Sequence, residues 1–368
     1  MTELEPRCRK RRSSLSASGI LPVMQAHPAV ETSTTHKQLT LFIPGLFANP
    51  SVPASLQHVL SRADHLPGGT DGATERLFAL FNIAMETGRD LPVAAVTRVA
   101  DMGVVDREWW VRADPVHLAP SRDGLVLSDD LNLSQNEADQ LVAELGKALS
   151  VDGWLIKAPR PQRWYLKPPA EPRIVTTPLS AVVGRDVHAY LPKGPDGKAW
   201  HTHLNEIQIL LHTSPVNDAR ETRGLLPANS VWFWGGGRLP QAGTVRWAHV
   251  WSNEPLSQGM ARLSGVSSRP VPLNAAELLG VSTDGAQLFV LELSTQTDSD
   301  ALQALADNWL SPLCAAVHAG VLDSLELISD SGPLFHYRKQ HRWRFWRRQC
   351  SFATWREAQA LRQSSGQT

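Results

Sequence analysis

The chain has 368 residues, 42% hydrophobic and 20% charged, and its 36 Lys and Arg balance its 36 Asp and Glu. Such a composition is globular and excludes a polyelectrolyte that works by gripping nucleic acid, while the length calls for one large domain with an insertion or for two domains. Cys8, Cys314 and Cys350 stand far apart without metal-ligand spacing, which argues against a disulfide framework or a zinc site and for a reducing compartment.

From the N-terminus, residues 1–36 are rich in Ser, Thr and Pro and read as a disordered leader, with Met24 as an alternative start. The basic start at Arg7 to Arg12 has no apolar stretch after it, and no apolar run reaches the roughly 18 residues of a membrane helix. A cytoplasmic protein without a transmembrane segment is expected. Leu39 to Ile43, broken by Pro44-Gly45, has the pattern of a buried strand feeding a loop at its carboxyl end, where open α/β sheets gather their active sites. Helical spacing follows at Ser55 to Ser61 and Thr74 to Glu86, and Pro92 to Val99 reads as another strand.

From Arg107 the texture changes. Trp109 to Leu118 and Leu125 to Leu127 predict a hairpin, Ser134 with Glu137 forms a capping box for a helix through Leu149, and Trp154 to Lys157 with Trp164 to Lys167 predicts a second hairpin. Lys198 to His212 is helical, with Trp200, Leu204, Ile207 and Leu211 on one stripe. After Pro227 the α/β texture returns: strands at Ser230 to Trp234, ended by the Gly235–Gly237 turn, and at Arg246 to Trp251, Leu288 to Leu293 and Leu325 to Ile328. A helix carrying Leu302, Leu305, Trp309 and Leu313 closes at Gly320. The expected organisation is a discontinuous α/β core (37–106 and 227–337), an inserted α+β domain (107–226) and a basic, aromatic C-terminal segment (338–368).

Several stretches carry a resemblance. Arg112-Ala113-Asp114, Leu125 to Asp130, Gly153 to Leu166, Thr176-Thr177-Pro178, Tyr190 to Gly194, Pro215-Val216-Asn217 with Arg220, Pro227-Ala228-Asn229 and Trp232 to Gly237 resemble, in order, the archaeal-type cofactor-independent phosphoglycerate mutases of the alkaline phosphatase superfamily. With His341 to Arg348 included, the chain is also similar to a degenerate bacterial branch of RpfE-type regulatory proteins. The resemblance implies an alkaline-phosphatase-like α/β fold, a central sheet flanked by helices and interrupted by the insertion. It also implies two divalent cations, manganese or magnesium, held by Asp and His beside a Ser or Thr nucleophile, because paired metals neutralise the transferring phosphoryl group. Here Leu46 stands where the family has an aspartate, Ser294 to Thr297 replace an acidic pair and a histidine, and Asp330-Ser331 retains only the aspartate, a remnant ligand position.

By the same resemblance, Arg112, Arg163, Asn217 and Arg220 are the candidate anion- or substrate-binding residues, with a phosphorylated small acid as ligand. A guanidinium fork suits oxyanions, though each of these arginines reads equally as a structural ion-pair partner, and Asn217 and Asn229 as turn residues. His201, His203 and His212 lack metal spacing, Ser55 and Thr74 are nucleophile positions by location alone, and Gly235 to Arg238 is a weak phosphate cradle. The aromatics of the tail are expected to dock on the core while the arginines reach outward, the alternative being that together they face RNA, an acidic partner or a membrane. The expectation is a regulatory or ligand-binding scaffold, without cofactor or metal and with no specific nucleic-acid partner. Its rivals are an active mutase and a pure protein-interaction module.

Overall fold

A computed structural model describes residues 37–347, apart from 48–52, 67, 69–71, 85, 87, 123, 282–283 and 293–298. The leader, Met24, Cys8, Cys350, Ser294 to Thr297 and the chain from Arg348 onward lie outside the described residues.

The N-terminal part of the core is built from β1 (Gln38–Phe42), α1 (Ala54–Arg62), β2 (Asp64–Leu66), α2 (Ala73–Leu80) and α3 (Val93–Met102). The insertion follows with β3 (Trp110–Ser121), β4 (Gly124–Ser128), α4 (Gln135–Leu149), β5 (Leu155–Arg160), β6 (Arg163–Lys167), α5 (Gly197–His212), α6 (Pro215–Thr222) and β7 (Ser230–Gly237). The chain then returns through β8 (Trp247–Trp251), α7 (Pro255–Leu263), β9 (Ser267–Arg269), α8 (Ala275–Gly280), β10 (Ala286–Val290), α9 (Ser299–Leu305), α10 (Ser311–Ala319), β11 (Ser324–Ile328) and β12 (Leu334–Arg338).

The core is a seven-stranded sheet in the order β2-β12-β11-β1-β10-β8-β9. β1 lies parallel between β10 and β11, and only β12 runs against the other strands, antiparallel to β11 on one side and to β2 on the other. A strand covered on both faces is apolar on both, which is why Leu39 to Ile43 is hydrophobic apart from Thr40, whose buried hydroxyl donates to Glu326. Leu39, Leu41 and Ile43 join the cluster that includes α1 and α10, whereas Phe42 joins the opposite layer with Phe78, Val96 and Met260. The mixed α/β fold with a central sheet flanked by helices is therefore as expected.

The insertion carries its own five-stranded sheet, β4-β3-β6-β5, with β7 paired to β3. Both predicted hairpins form. Ser134 and Glu137 close the predicted capping box, and Trp200, Leu204, Ile207 and Leu211 are buried along α5 as the stripe requires.

Four expectations need correction. Pro92 to Val99 is no strand: it starts α3, whose residues Val93 to Val99 are all buried and whose end is capped by left-handed Gly103. The helix is wedged between α7 and the β3–β7 face, and its first turn is an apolar run of Val and Ala that reads equally as a strand, its polar residues Thr97, Arg98 and Asp101 coming only later. The helix predicted through Glu86 stops at Leu80. Gly235 to Gly237 does not end a strand but completes β7, and since β7 pairs with β3 the insertion extends to Gly237, past 226. The glycines serve close approach: a Cβ at Gly236 would sit 2.5 Å from the Trp109 ring, and one at Gly237 2.7 Å from Pro92. Finally, the tail aromatics do not dock on the core; Trp343, Phe345 and Trp346 are 62%, 75% and 67% exposed.

Candidate functional site

At the carboxyl end of the core sheet, Asp330 lies beside Gly45. Its Oδ1 accepts from the Gly45 amide at 2.8 Å and from Ser329 Oγ at 2.6 Å, and Ser329 Oγ also reaches Ile43 O at 2.9 Å. The carboxylate thus ties the loop after β1 to the loop after β11. Leu46 is fully buried in the apolar cluster with Phe47 and Leu56. Glu254 caps α7, accepting from the amides of Leu256 and Ser257. Burial pushes its carboxyl above the ordinary value, and neighbouring Glu292 adds to the rise. Among the described residues no three His, Cys, Asp or Glu side chains gather at metal-binding distance. A two-cation centre needs several anionic or imidazole donors, so the residues described at this sheet end do not fit one. Ser55 lies in the first turn of α1, its hydroxyl buried without a hydrogen-bond partner, and Thr74 lies in the first turn of α2.

The predicted anion-binding arginines are occupied by protein groups and do not share a cleft. Arg112 forms a two-pronged pair with buried Asp114 (2.9 and 2.8 Å), which also accepts from Trp164 N and Trp234 Nε1. Arg163 holds Asp101 of α3 at 2.8 and 2.6 Å, and Tyr165 donates to the same carboxylate. Burial pulls the Asp101 carboxyl upward, but Arg163 and Tyr165 outweigh it and leave it below the usual range. This network fastens α3 to the inserted sheet. Arg220 is elsewhere, fully buried, donating to the carbonyls of Leu226 and Leu131 and lying 3.1 Å from Glu137. Asn217 is structural, donating to Leu211 O and Ala228 O and accepting from Ala228 N, and Asn229 brackets Leu118 in the same way. His201 bonds to Pro192 O and His203 to Glu206.

Glu137 gives this corner a pH signature. Burial raises its carboxyl, but hydrogen bonds from the Ser134 amide, Arg223 and the Ser134 hydroxyl, with the charge of Arg220, together bring it from 4.5 to about 2. A depressed folded-state value stabilises above the unfolded value and is lost as pH falls through the folded one. The unfolding midpoint of the wild type should therefore fall between about pH 4.5 and about pH 2 more steeply than that of Glu137→Gln. Parallel slopes would show that the corner contributes nothing.

A cleft of about 720 Å³ opens where the chain passes between core and insertion. Its walls come from Gly88 to Pro92, Trp109, Glu171 to Val175, Gly194-Pro195 and Gly236 to Pro240. Arg89, Arg173 and Arg238 point cations at it. Glu171 is shared between Arg238 (2.7 Å) and Arg89 (3.7 Å), and Arg173 pairs with Asp196 at 3.2 Å. All three arginines stay more than half exposed, so each keeps donors for a further anion. Deeper in, Asp90 accepts from the amide and hydroxyl of Thr176, whose Oγ1 accepts from Gly235 N. Burial holds the Asp90 carboxyl above its ordinary value against those bonds. Of the cleft arginines only Arg238 stood out in the sequence, beside the triple glycine; Arg89 and Arg173 come from segments that nothing in the linear pattern connects.

No family model matches the chain. A probable 2,3-bisphosphoglycerate-independent phosphoglycerate mutase of Geobacter sulfurreducens is 27% identical over 178 residues, 48% of this chain and 44% of the relative. The corresponding mutase of Methanosarcina mazei is 37% identical over 65 residues, 18% of this chain and 16% of the relative. Among solved structures, the PH0037 protein of Pyrococcus horikoshii is similar over 83% of this chain and 88% of its own, with a TM-score of 0.52 at 13% identity. The scaffold is phosphoglycerate-mutase-like. A cofactor-independent phosphoglycerate mutase from Thermoplasma acidophilum aligns over 82% of this chain and 90% of its own, with a TM-score of 0.44 at 16% identity. The matched segments span less than half the length of these curated mutases. On the phosphoglycerate-mutase-like scaffold, the loops at the carboxyl end of the sheet are held by Asp330 and Ser329, and the cleft beside β7 offers spare cationic donors.

Proposed function

We propose that the chain is a regulatory, ligand-binding protein of the cytoplasm, using a phosphoglycerate-mutase-like scaffold without two-cation phosphoryl transfer. The observation that carries this reading is the cleft at the core–insertion seam, where Arg89, Arg173 and Arg238 surround a volume suited to a small ligand. A phosphorylated small acid matches its chemistry. Phosphate and carboxylate oxygens accept paired guanidinium hydrogens, and Trp109, Ile174 and Leu239 offer an apolar wall to the carbon skeleton. Because the walls come from both core and insertion segments, a bound anion bridges them and favours one relative arrangement, which is what regulation by a metabolite requires.

Thermal unfolding in the presence of 3-phosphoglycerate, inorganic phosphate or sulfate tests it. A ligand at a hundredfold its dissociation constant adds about 2.7 kcal/mol of stability. The upward shift should be largest with the phosphorylated acid and should disappear in Arg89→Ala with Arg173→Ala, both exposed and tolerant of truncation. The absence of any shift in the wild type, or an unchanged shift in the double variant, overturns the assignment.

A further inference from the structure

β12 leaves the core sheet at Arg338, and the chain makes one 3₁₀ turn, Lys339–Trp343. The turn is pinned from below. His341 is fully buried, its Nε2 3.2 Å from Asp64 and its ring edge-on to Tyr337 at 5.8 Å. Arg344 reaches Asp64 at 2.5 Å and Arg62 O at 3.2 Å, and Arg347 donates to Ala63 O at 2.6 Å. These contacts fix the backbone against the end of α1 and β2.

Pinning presents a ridge outward. Trp343, Phe345 and Trp346 are 62%, 75% and 67% exposed, three large aromatics within four residues. A monomeric surface seldom leaves such a group uncovered without a partner. Arg338, Lys339, Arg342, Arg344 and Arg347 surround the ridge, and no acidic residue occurs between Arg338 and Arg347. The field is felt nearby: His318, His336 and His341 all lie below the ordinary histidine value, burial first and then the charges of Arg342, Arg338 and Arg344, with Asp64 acting the other way on His336 and His341.

We propose that this ridge docks the protein on an anionic phospholipid surface, with the three rings at the headgroup–acyl boundary and the surrounding cations against lipid phosphates. Amphipathic rings flanked by Arg and Lys are the composition of interfacial anchors, and each cation near an anionic leaflet strengthens partitioning roughly fivefold. Ring geometry disfavours a single-stranded nucleic acid, which stacks bases on open ring faces. Phe345 and Trp346 instead meet edge to face at 5.4 Å and 79°, and Arg342 covers one face of Trp343 at 4.7 Å. The fixed backbone means that little ordering accompanies docking.

Co-sedimentation of the full chain with vesicles of phosphatidylcholine alone, and of phosphatidylcholine with one third phosphatidylglycerol, tests the proposal. Binding is expected to the anionic vesicles only and to weaken as salt is raised. The variant Trp343→Ser with Phe345→Ser and Trp346→Ser should lose about tenfold or more of that binding, and Lys339→Glu with Arg342→Glu a comparable amount. The five positions avoid the pinning contacts of His341, Arg344 and Arg347, and an unchanged melting temperature verifies that the fold is retained. Equal binding to both vesicle types, undiminished binding by either variant, or capture of a labelled oligouridylate with no vesicle binding overturns the proposal.

Discussion

Supplied with manganese or magnesium, the protein should interconvert 2- and 3-phosphoglycerate no faster than buffer does. Paired cations accelerate phosphoryl transfer by neutralising the equatorial oxygens and activating the nucleophile, and they demand carboxylates or imidazoles to hold them. Where the resemblance implies the first carboxylate, Leu46 is packed into the apolar core. Asp330 is present, yet it spends one oxygen on the Gly45 amide and the Ser329 hydroxyl. Ser331 and Ser294 to Thr297 bring neutral hydroxyls and an amide in place of charged donors. Losing one member of a catalytic unit costs up to on the order of a million-fold, and the resemblance implies that several are replaced together. A coupled assay that follows phosphoenolpyruvate formation from 3-phosphoglycerate would detect a small residue of activity. Turnover that a chelator removes and Asp330→Ala abolishes would show that the cations find another set of ligands.

Arg112→Met should destabilise the protein by about 3–5 kcal/mol, the usual consequence of removing one partner of a buried ion pair. Asp114 is 1% exposed and would keep a charge, or take up a proton, with only the Trp164 amide and the Trp234 indole left to it. Burial already holds its carboxyl above the ordinary range despite Arg112. Adding Asp114→Leu should restore only part of the loss, since those two donors would then be buried without an acceptor. Urea unfolding monitored by circular dichroism gives the comparison. A loss under about 1 kcal/mol would mean that Arg112 is free for a ligand after all, as the resemblance alone implied.

How far the sequence reveals this molecule depends on whether a residue's partner is near it in the chain. The Ser134–Glu137 capping box and the α5 stripe are local patterns with a fixed period, and both form as read. β1 declares itself because a strand covered on both faces is apolar on both, here interrupted only by Thr40, whose hydroxyl is satisfied by Glu326. α3 is misread because its first turn, Val93 to Val96, is a wholly apolar run rich in β-branched residues, and its polar positions, Thr97, Arg98 and Asp101, come only later. The arginine positions show the limit for function. A guanidinium is visible in the sequence, but its counter-ion is not, and Arg163 finds Asp101 at a separation of 62 residues. Arg89, Arg173 and Arg238 converge only because β7 brings the end of the insertion against the start of α3.

The place of β1 in the middle of the core sheet has a consequence for biosynthesis. Thr40 bonds to Glu326, 286 residues downstream, and neither neighbour of β1 exists until residues 286–328 have been made. The β3–β4 and β5–β6 hairpins, by contrast, close within a few residues of their own turns. At about 5–20 residues per second, a ribosome that has completed the insertion at Gly237 needs roughly 5–18 seconds more to reach Ile328 and supply both partner strands of Leu39 to Ile43. During that interval the nascent chain is a folded insertion trailing an apolar strand with two open edges, the form in which trigger-type chaperones or aggregation would meet it.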